Sequence, residues 1–251
     1  MEKINLVYQD NFSSEYEGMM YKEEKILKKA KKTIAVLKDF LGELDNKSVL
    51  DLGCSTGIAT NYYSKYFKKT TGIDIDKKAI EYAKGNNRGK IKFYVQKGDE
   101  TNFTSNTFDV ITCTQIYEHV PDSKKLMDEI YRILKPEGVC YFSAGNRMNI
   151  MEPHHKLPFL SVLPKSLANY YLYLFRGKKY YYENHLTLFG LKKLVRKFQI
   201  IDYTKKIIQK PIVFEADDMI KPNTFTFYLA NLLIHPFYFI SPNYIWLLKK
   251  K

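Results

Sequence analysis

The sequence is poor in the residues and segments that mark several protein classes. It has three cysteines in 251 residues, and Cys54, Cys113 and Cys140 form neither a disulfide framework nor a metal-ligand spacing. The first residues lack the long apolar core of a signal peptide, and no Ser/Gly-rich linker, internal repeat or low-complexity tract divides the chain. These absences predict a single α/β domain in a reducing, cytoplasmic environment.

Positive charge, in contrast, is abundant. The net charge is +13, but the lysines are spread along the chain, as in residues 22–38 and at Lys249–Lys251. Spread lysine is typical of a solvated surface, and attraction to an anionic substrate or to the inner face of a membrane stays open. No RNA-binding module or dense arginine cluster accompanies the charge, so a nucleic-acid partner is not favoured.

The most informative stretch is residues 48–57, SVLDLGCSTG. Its apolar residues predict a short strand that is covered on both faces. Gly53 and Gly57 then allow a tight turn that a ligand can approach closely, before a helix over 57–67. The stretch is neither a G-x-G-x-x-G motif nor a P-loop. Asp51, placed just before the first glycine, would repel a phosphate and favours a ligand with an ammonium or sulfonium centre.

Further acidic residues follow the next strands. A strand over 70–76 carries Asp74, placed to bind a ribose diol, and Asp76 is a suitable N-cap for a helix over 77–84. A third strand, 91–95, is followed by Asp99 and Glu100, which are suited to the exocyclic amine of a purine. We then predict a strand over 108–113, a helix over 123–134, a turn over 135–138 and a strand over 139–143.

Together these segments resemble the class I S-adenosylmethionine-dependent methyltransferases, in particular the type 11 and type 23 groups. The resemblance covers residues 47–146 through VLDLGCSTG, GIDID, GDE, FDVITC, YEHV and ILKPEG, with Glu137 where the family more often has glycine. It implies a Rossmann-like, doubly wound, seven-stranded, mostly parallel sheet with one antiparallel strand, plus a helical cap.

The resemblance also assigns cofactor-binding residues for S-adenosylmethionine, whose product would be S-adenosylhomocysteine (SAH). These residues are Asp51, Gly53, Cys54, Ser55 and Gly57 around the methionine end, Asp74 and Ile75 at the ribose, Asp99 and Glu100 at the adenine, and Thr114 and Gln115 on the methyl-transfer side.

Within one methyltransferase domain, 1–251, we expect four parts. Residues 1–44 would form an N-terminal helical lid, 45–146 the cofactor-binding core, 147–186 a cap insertion, and 187–251 the rest of the sheet with a packing helix. In the lid, a helical pattern covers 12–41, and Tyr16 and Tyr21 would face the cofactor or pack on the core.

The last two parts contain most of the aromatic residues. In the cap and just after it we predict helices over 166–175 and 188–198. The C-terminal part would supply a strand over 199–209, a helix over 225–239 and an antiparallel strand over 244–248. The aromatic stretches either cover the sheet or dock at a membrane interface, where a lipid-linked acceptor would be reached.

Histidines supply the candidate bases. A hydroxyl acceptor becomes nucleophilic when a base removes its proton, and imidazole suits this at neutral pH. We predict His154 or His155 as the base, with His119 as a further candidate that has an alternative role at a helix start; His185 lies nearby. Glu152, His154 and His155 have no recognised metal-ligand spacing, so no metal is predicted.

The sequence thus predicts methyl transfer, most simply to the oxygen of a small-molecule, saccharide or lipid-linked acceptor. A nucleic-acid methyltransferase and a non-catalytic S-adenosylmethionine-binding protein are the alternatives, and no oligomeric state is predicted.

Overall fold

One mixed sheet forms the centre of the fold. The structure is a computed structural model and describes residues 22–87, 91–217 and 219–251. The strands are β1 (Ser48–Leu52), β2 (Lys69–Asp74), β3 (Ile91–Val95), β4 (Phe108–Thr114), β5 (Leu134–Gly145), β6 (Phe198–Asp202) and β7 (Asn243–Lys250). Their order in the sheet is β3-β2-β1-β4-β5-β7-β6, in which β1 to β5 are parallel and β7 runs antiparallel to both of its neighbours. The predicted sheet and its antiparallel strand are confirmed.

Helices cover both faces of this sheet. In chain order they are α1 (Glu23–Leu41), α2 (Ile58–Tyr63), α3 (Lys77–Gly85), α4 (Ser123–Ile133), α5 (Lys165–Arg176), α6 (Leu188–Leu194), α7 (Thr204–Gln209) and α8 (Phe225–Leu233). Short 3₁₀ turns occupy Leu160–Val162 and Tyr238–Ile240. Tyr16, Tyr21 and the first third of the predicted N-terminal helix, residues 12–21, lie outside the described residues.

The alternation of β1 explains how the two faces are filled. Leu50 and Leu52 point to one side, where they pack with residues of α4 and α6. Val49 points to the other side, where it packs with residues of α1, α2 and α7. Because all three side chains are at most 2% exposed, β1 is the fully covered strand that its apolar run predicts.

Two predicted boundaries are wrong because the chain leaves or joins the sheet elsewhere. Residues 135–138 were expected to form a turn, but they lie within β5, where a register shift accommodates them between its pairing with Phe108 and with Val110. The strand expected over 199–209 ends at Asp202, and α7 follows. The side chain of Asp202 accepts a hydrogen bond from Thr204 N (2.9 Å), and this local bond starts the helix.

Three predicted helices are shorter than expected. The helix after the glycine turn ends at Tyr63, and the helix expected over 188–198 ends at Leu194, because Phe198 already belongs to β6. The C-terminal helix, expected over 225–239, ends at Leu233 and buries none of its side chains; Phe225 is 80% exposed. It therefore does not cover the sheet as a packing helix would. Among the described residues, no helix combines the length and apolarity needed to span a bilayer.

Gly72 offers a test of the packing between β2 and β3. A Cβ at Gly72 would lie 2.8 Å from the Phe93 ring and 2.9 Å from Cys54 Sγ, whereas a Cβ at Gly85 would meet nothing within 4 Å. We expect Gly72→Ala to lower the free energy of unfolding by about 1–3 kcal/mol through overpacking. Gly85→Ala, in a helix, should leave it unchanged or raise it by up to about 1 kcal/mol. Urea denaturation followed by circular dichroism measures both, and equal effects would contradict this packing.

Candidate active site

The turn after β1 is built from residues in the left-handed region of backbone space. Gly53 and Gly57 both have φ of 75°, and Ser55 has φ of 46°. Gly53 N and Cys54 N both donate to Ile73 O, at 2.9 and 3.0 Å, which fixes the turn against the end of β2. A Cβ on Gly53 would collide with the Ile116 side chain, so the position requires glycine for space as well as for conformation.

Asp51 lies beneath this turn with its carboxylate buried. Its two oxygens accept hydrogen bonds from Thr60 Oγ1 and Thr112 Oγ1, each at 2.6 Å. Burial raises the pKa of Asp51 to about 6. The hydrogen bonds from the two threonine hydroxyls lower this pKa, and the neighbouring Asp74 raises it. The two threonines that hold this carboxylate were not singled out in the sequence, because one lies on α2 and the other on β4.

Asp74 ends β2 beside the turn, and Ile75 follows it. Its carboxylate accepts from Ser55 N at 2.8 Å and from Asp76 N at 2.9 Å, one bond to each oxygen. Burial raises the pKa of Asp74 despite these backbone donors. Each oxygen keeps lone-pair capacity for a further donor, which is the requirement for binding a diol.

The two acids after β3 differ in their surroundings. Asp99 is buried, and its Oδ1 has no hydrogen-bond partner among the described residues. The Glu100 side chain is 70% exposed and pairs with Lys125 at 3.0 Å. Asp99 is thus the acid available to a ligand inside the fold, whereas Glu100 points to the surface.

The remaining predicted cofactor residues also differ in their surroundings. Cys54 packs with Ile80 and Phe93, and burial raises the pKa of its thiol well above the usual value, so this side chain is an apolar support for the turn. Thr114 ends β4. Gln115, with φ of 57°, donates from Nε2 to Asn243 Oδ1 at 2.8 Å and so faces the β5–β7 side of the sheet.

A second group of polar side chains lies on that side. Four of the five histidines of the chain and three glutamates converge there from the segment after β4, the start of the cap and its end. We call this set the His–Glu cluster; it consists of Glu118, His119, Glu152, His154, His155, Glu183 and His185. It lies next to the cofactor residues, since a Cβ on Gly145 would be 3.2 Å from His185 and 3.3 Å from Gln115 Oε1.

Two contacts organise the cap side of the cluster. His155 Nε2 lies 3.5 Å from Glu183 Oε2, and His185 Nε2 lies 3.9 Å from Glu152 Oε1. The Glu152 carboxylate also accepts from His155 N at 2.5 Å. The three glutamates are at most 1% exposed, although glutamate is rarely buried completely without compensation.

Two contacts organise the core side. The rings of His119 and His154 meet edge to face with their centroids 4.9 Å apart. Glu118 O accepts from Asn184 N at 2.9 Å, so the end of the cap is bonded directly to the segment after β4. Residues 119, 154 and 155, which the sequence proposed as bases, are therefore brought together in one cluster.

The electrostatics of the cluster follow from its burial. Burial raises the pKa of Glu118 to about 7, and burial together with His154 lowers the pKa of His119 to about 3. Burial opposes the ionisation of Glu183, but His155 and the other histidines outweigh it and lower its pKa to about 2. At neutral pH the Glu183 carboxylate is therefore ionised and the His119 imidazole is neutral.

Sequence reasoning did not assign a role to Glu118 or Glu183. The available signal was their setting: each adjoins or nearly adjoins a histidine in a segment rich in aromatic residues. That signal is weak, because the two residues are 65 positions apart and only the packing of the cap joins them.

The buried Asp51 predicts a specific pH dependence of stability. Because its folded-state pKa of about 6 lies above the usual value of 3.8, proton binding stabilises the fold at low pH and this contribution is lost as the pH rises through about 6. Relative to Asp51→Asn, which does not titrate, the wild type should gain on the order of 3 kcal/mol as the pH falls from 7 to 4. Urea denaturation of both proteins across this range measures the difference, and parallel pH profiles would contradict it.

Part of the chain is similar to known methyltransferases. Residues 50–142 match the family model described as a methyltransferase domain. Two curated relatives are named ubiquinone biosynthesis O-methyltransferase. The one from Coxiella burnetii is 32% identical over 107 residues, which are 41% of this chain and 46% of the relative; the one from Vibrio cholerae is 34% identical over 108 residues, 41% of this chain and 44% of the relative. The chain thus spans less than half the length of the curated relatives it matches.

Solved structures resemble the whole described fold. The plantazolicin methyltransferase BpumL, crystallised with a pentazolic desmethylPZN analog and SAH, is 20% identical, covers 95% of this chain and 90% of its own, and has a TM-score of 0.61. The YcgJ protein of Bacillus subtilis is 16% identical, covers 89% of this chain and 99% of its own, and has a TM-score of 0.53. At these identities the likeness concerns the fold.

The family match falls on the strands that carry the glycine turn and its three acids, and the fold is the seven-stranded one expected around them. The chain is therefore similar to a methyltransferase domain over residues 50–142, and its described residues have the fold of solved methyltransferases.

Proposed function

We propose that the protein transfers a methyl group from S-adenosylmethionine to an oxygen atom of a small-molecule acceptor. The observation that carries the proposal is the placement of three carboxylates, the buried Asp51 and Asp99 and the half-buried Asp74, at the carboxyl-terminal side of β1, β3 and β2. In open α/β sheets ligands bind at this edge, next to the point where the strand order reverses.

Each carboxylate suits one part of the cofactor. Asp74 would accept hydrogen bonds from the ribose hydroxyls, and Asp99, whose Oδ1 has no partner among the described residues, would accept from the adenine amine. The turn around Gly53 and Gly57 would hold the methionine end, whose ammonium is attracted by Asp51 from below. The Glu100 side chain is exposed and the Cys54 side chain is buried in the core, so these two residues would contact the cofactor through their backbone.

The acceptor would lie between the sulfonium methyl and the His–Glu cluster. In the transfer the bond from sulfur to the methyl carbon breaks as the bond from the acceptor oxygen forms, and the hydroxyl proton passes to the cluster, leaving SAH. His119, His154 and His155 are the candidate bases. We favour His154, because His155 is more deeply buried and contacts Glu183, and because a pKa lowered to about 3 makes His119 a weak base. The O-methyltransferase names of the curated relatives support an oxygen acceptor.

An exposed aromatic surface supports an acceptor at a lipid interface, such as a lipid-linked saccharide. Helix α8 has no buried residue, and α5 also exposes large apolar side chains, among them Tyr170, Tyr173, Leu174 and Phe175. The net charge of +13 complements an anionic membrane. This surface contains no feature that reads bases, so it does not favour the nucleic-acid alternative.

Asp74→Asn tests the cofactor site. Loss of one charge-assisted hydrogen-bond acceptor should raise the dissociation constant of S-adenosylmethionine at least about tenfold. Asp128→Asn is the matched control, because the Asp128 carboxylate lies on the surface of α4 and pairs with Lys197. Isothermal titration calorimetry measures both variants after circular dichroism confirms their folding. Equal affinities in the two variants, or no binding to the wild type, would overturn the assignment.

His154→Ala tests the acceptor side. Removing a base should lower kcat by about 10²–10⁴-fold while the affinity for S-adenosylmethionine stays within a few-fold. His235→Ala, which alters an exposed histidine outside the cluster, should leave kcat unchanged. SAH release with a dihydroxybenzene and with a free sugar as acceptors gives the rates. A variant that retains wild-type kcat would remove His154 from the reaction.

A further inference from the structure

Three members of the His–Glu cluster have the composition and spacing of metal ligands. A carboxylate oxygen of Glu118 and one ring nitrogen each of His119 and His154 lie within 4.8 Å of one another. Two ligands of a tetrahedral Zn²⁺ are about 3.4 Å apart, at metal–ligand distances of about 2.0–2.2 Å. Side-chain rotations that shorten the longest separation by little more than 1 Å would therefore bring all three onto one ion.

The Glu118 carboxylate supplies an independent reason to expect a cation. It is fully buried, and neither of its oxygens has a hydrogen-bond partner among the described residues. A buried carboxylate in this state is costly unless it takes up a proton or coordinates a cation. His185 and, more weakly, Lys29 act on Glu118 through electrostatic interactions.

The rest of the cluster forms a shell of the kind that surrounds metal sites. Two further glutamates and two further histidines are paired just outside the three candidate ligands, as His155 with Glu183 and His185 with Glu152. The Glu183 and Glu152 carboxylates act electrostatically on the imidazoles of His119 and His154, and such negative charge beside the ligands favours a cation.

We propose that Glu118, His119 and His154 bind a divalent transition-metal ion of the Zn²⁺ type, with a fourth coordination position open towards the acceptor. Two imidazoles and one carboxylate are a ligand set that such ions take in sites that keep an open position, whereas Mg²⁺ and Ca²⁺ prefer oxygen ligands alone. With the ion bound, His119 and His154 would serve as ligands rather than as bases. An acceptor hydroxyl at the open position would then release its proton more readily because it is bound to the metal, and one of the histidines outside the ligand set, His155 or His185, would receive the proton.

The sequence alone did not indicate this site, because its ligands are far apart in the chain. Glu118 and His119 are adjacent after β4, but His154 is 35 residues further on, in the cap. The local Glu152, His154 and His155 run has no recognised ligand spacing, and only one of these three residues belongs to the proposed set. The structure joins the two segments through the cap.

Metal binding is tested without S-adenosylmethionine, so its failure is distinguishable from failure of the methyltransferase proposal. Metal-free wild-type protein titrated with Zn²⁺ should bind one equivalent in the calorimeter. Co²⁺ should give the visible absorption of a four- or five-coordinate site. His235→Ala should behave as the wild type, and Glu118→Gln and His154→Ala should each lose at least tenfold in affinity for Zn²⁺.

If Glu118→Gln and His154→Ala fold poorly, metal binding can be tested with a substitution that replaces one ligand by another. In the Co²⁺-loaded protein, His154→Cys should add a thiolate-to-metal charge-transfer band that the wild type lacks, because the three native cysteines are buried and burial raises the pKa of each thiol. Absence of stoichiometric Zn²⁺ binding by the wild type would overturn the proposal. Unchanged affinity in folded Glu118→Gln or His154→Ala would overturn it too, as would a His154→Cys protein that binds Co²⁺ without the new band.

Discussion

The parallel pairing of β1 with both β2 and β4 is the constraint on which the rest of the structure depends. It places β1 at the point where the strand order reverses, so the connections on its two sides leave in opposite directions and open a crevice above Gly53. In these registers Asp51 lies opposite Gly72 of β2 and Thr112 of β4. Asp74 lies two residues beyond Gly72 along β2. The carboxylates of the site are thus positioned by backbone hydrogen bonds rather than by contacts with each other.

This arrangement produces two zones of buried charge. The buried carboxylates have different partners in the two zones. Around β1, hydroxyl and backbone donors satisfy the carboxylates of Asp51 and Asp74. In the His–Glu cluster, Glu118 has no such donor among the described residues, and imidazoles surround the other glutamates. In the proposed function the first zone binds the cofactor through its hydroxyl and ammonium donors, and the second holds a cation or receives a proton.

Much of the fold could be predicted because its signals are local. Val49, Leu50 and Leu52 predicted a strand covered on both faces, Asp76 predicted a helix start that its bond from Ala79 N confirms, and the family resemblance supplied the antiparallel strand β7. The errors arose where residues distant in the sequence determined the secondary structure. The turn expected at residues 135–138 became part of β5 because β4 offers it a partner, and residues 204–209 became a helix beyond the end of β6.

The sequence by itself determined the Rossmann-like α/β fold and the glycine turn with its strand-end acids, because those residues are close in the chain and the period of the strands fixes their direction. Only the tertiary structure decided which acids face inward: Asp99 is buried and Glu100 binds Lys125 at the surface. It also decided that His154 meets His119, and that α8 buries none of its residues. These outcomes depend on how the cap and the C-terminal segment pack on the sheet. Such packing joins residues far apart in sequence, where no local pattern records the contact.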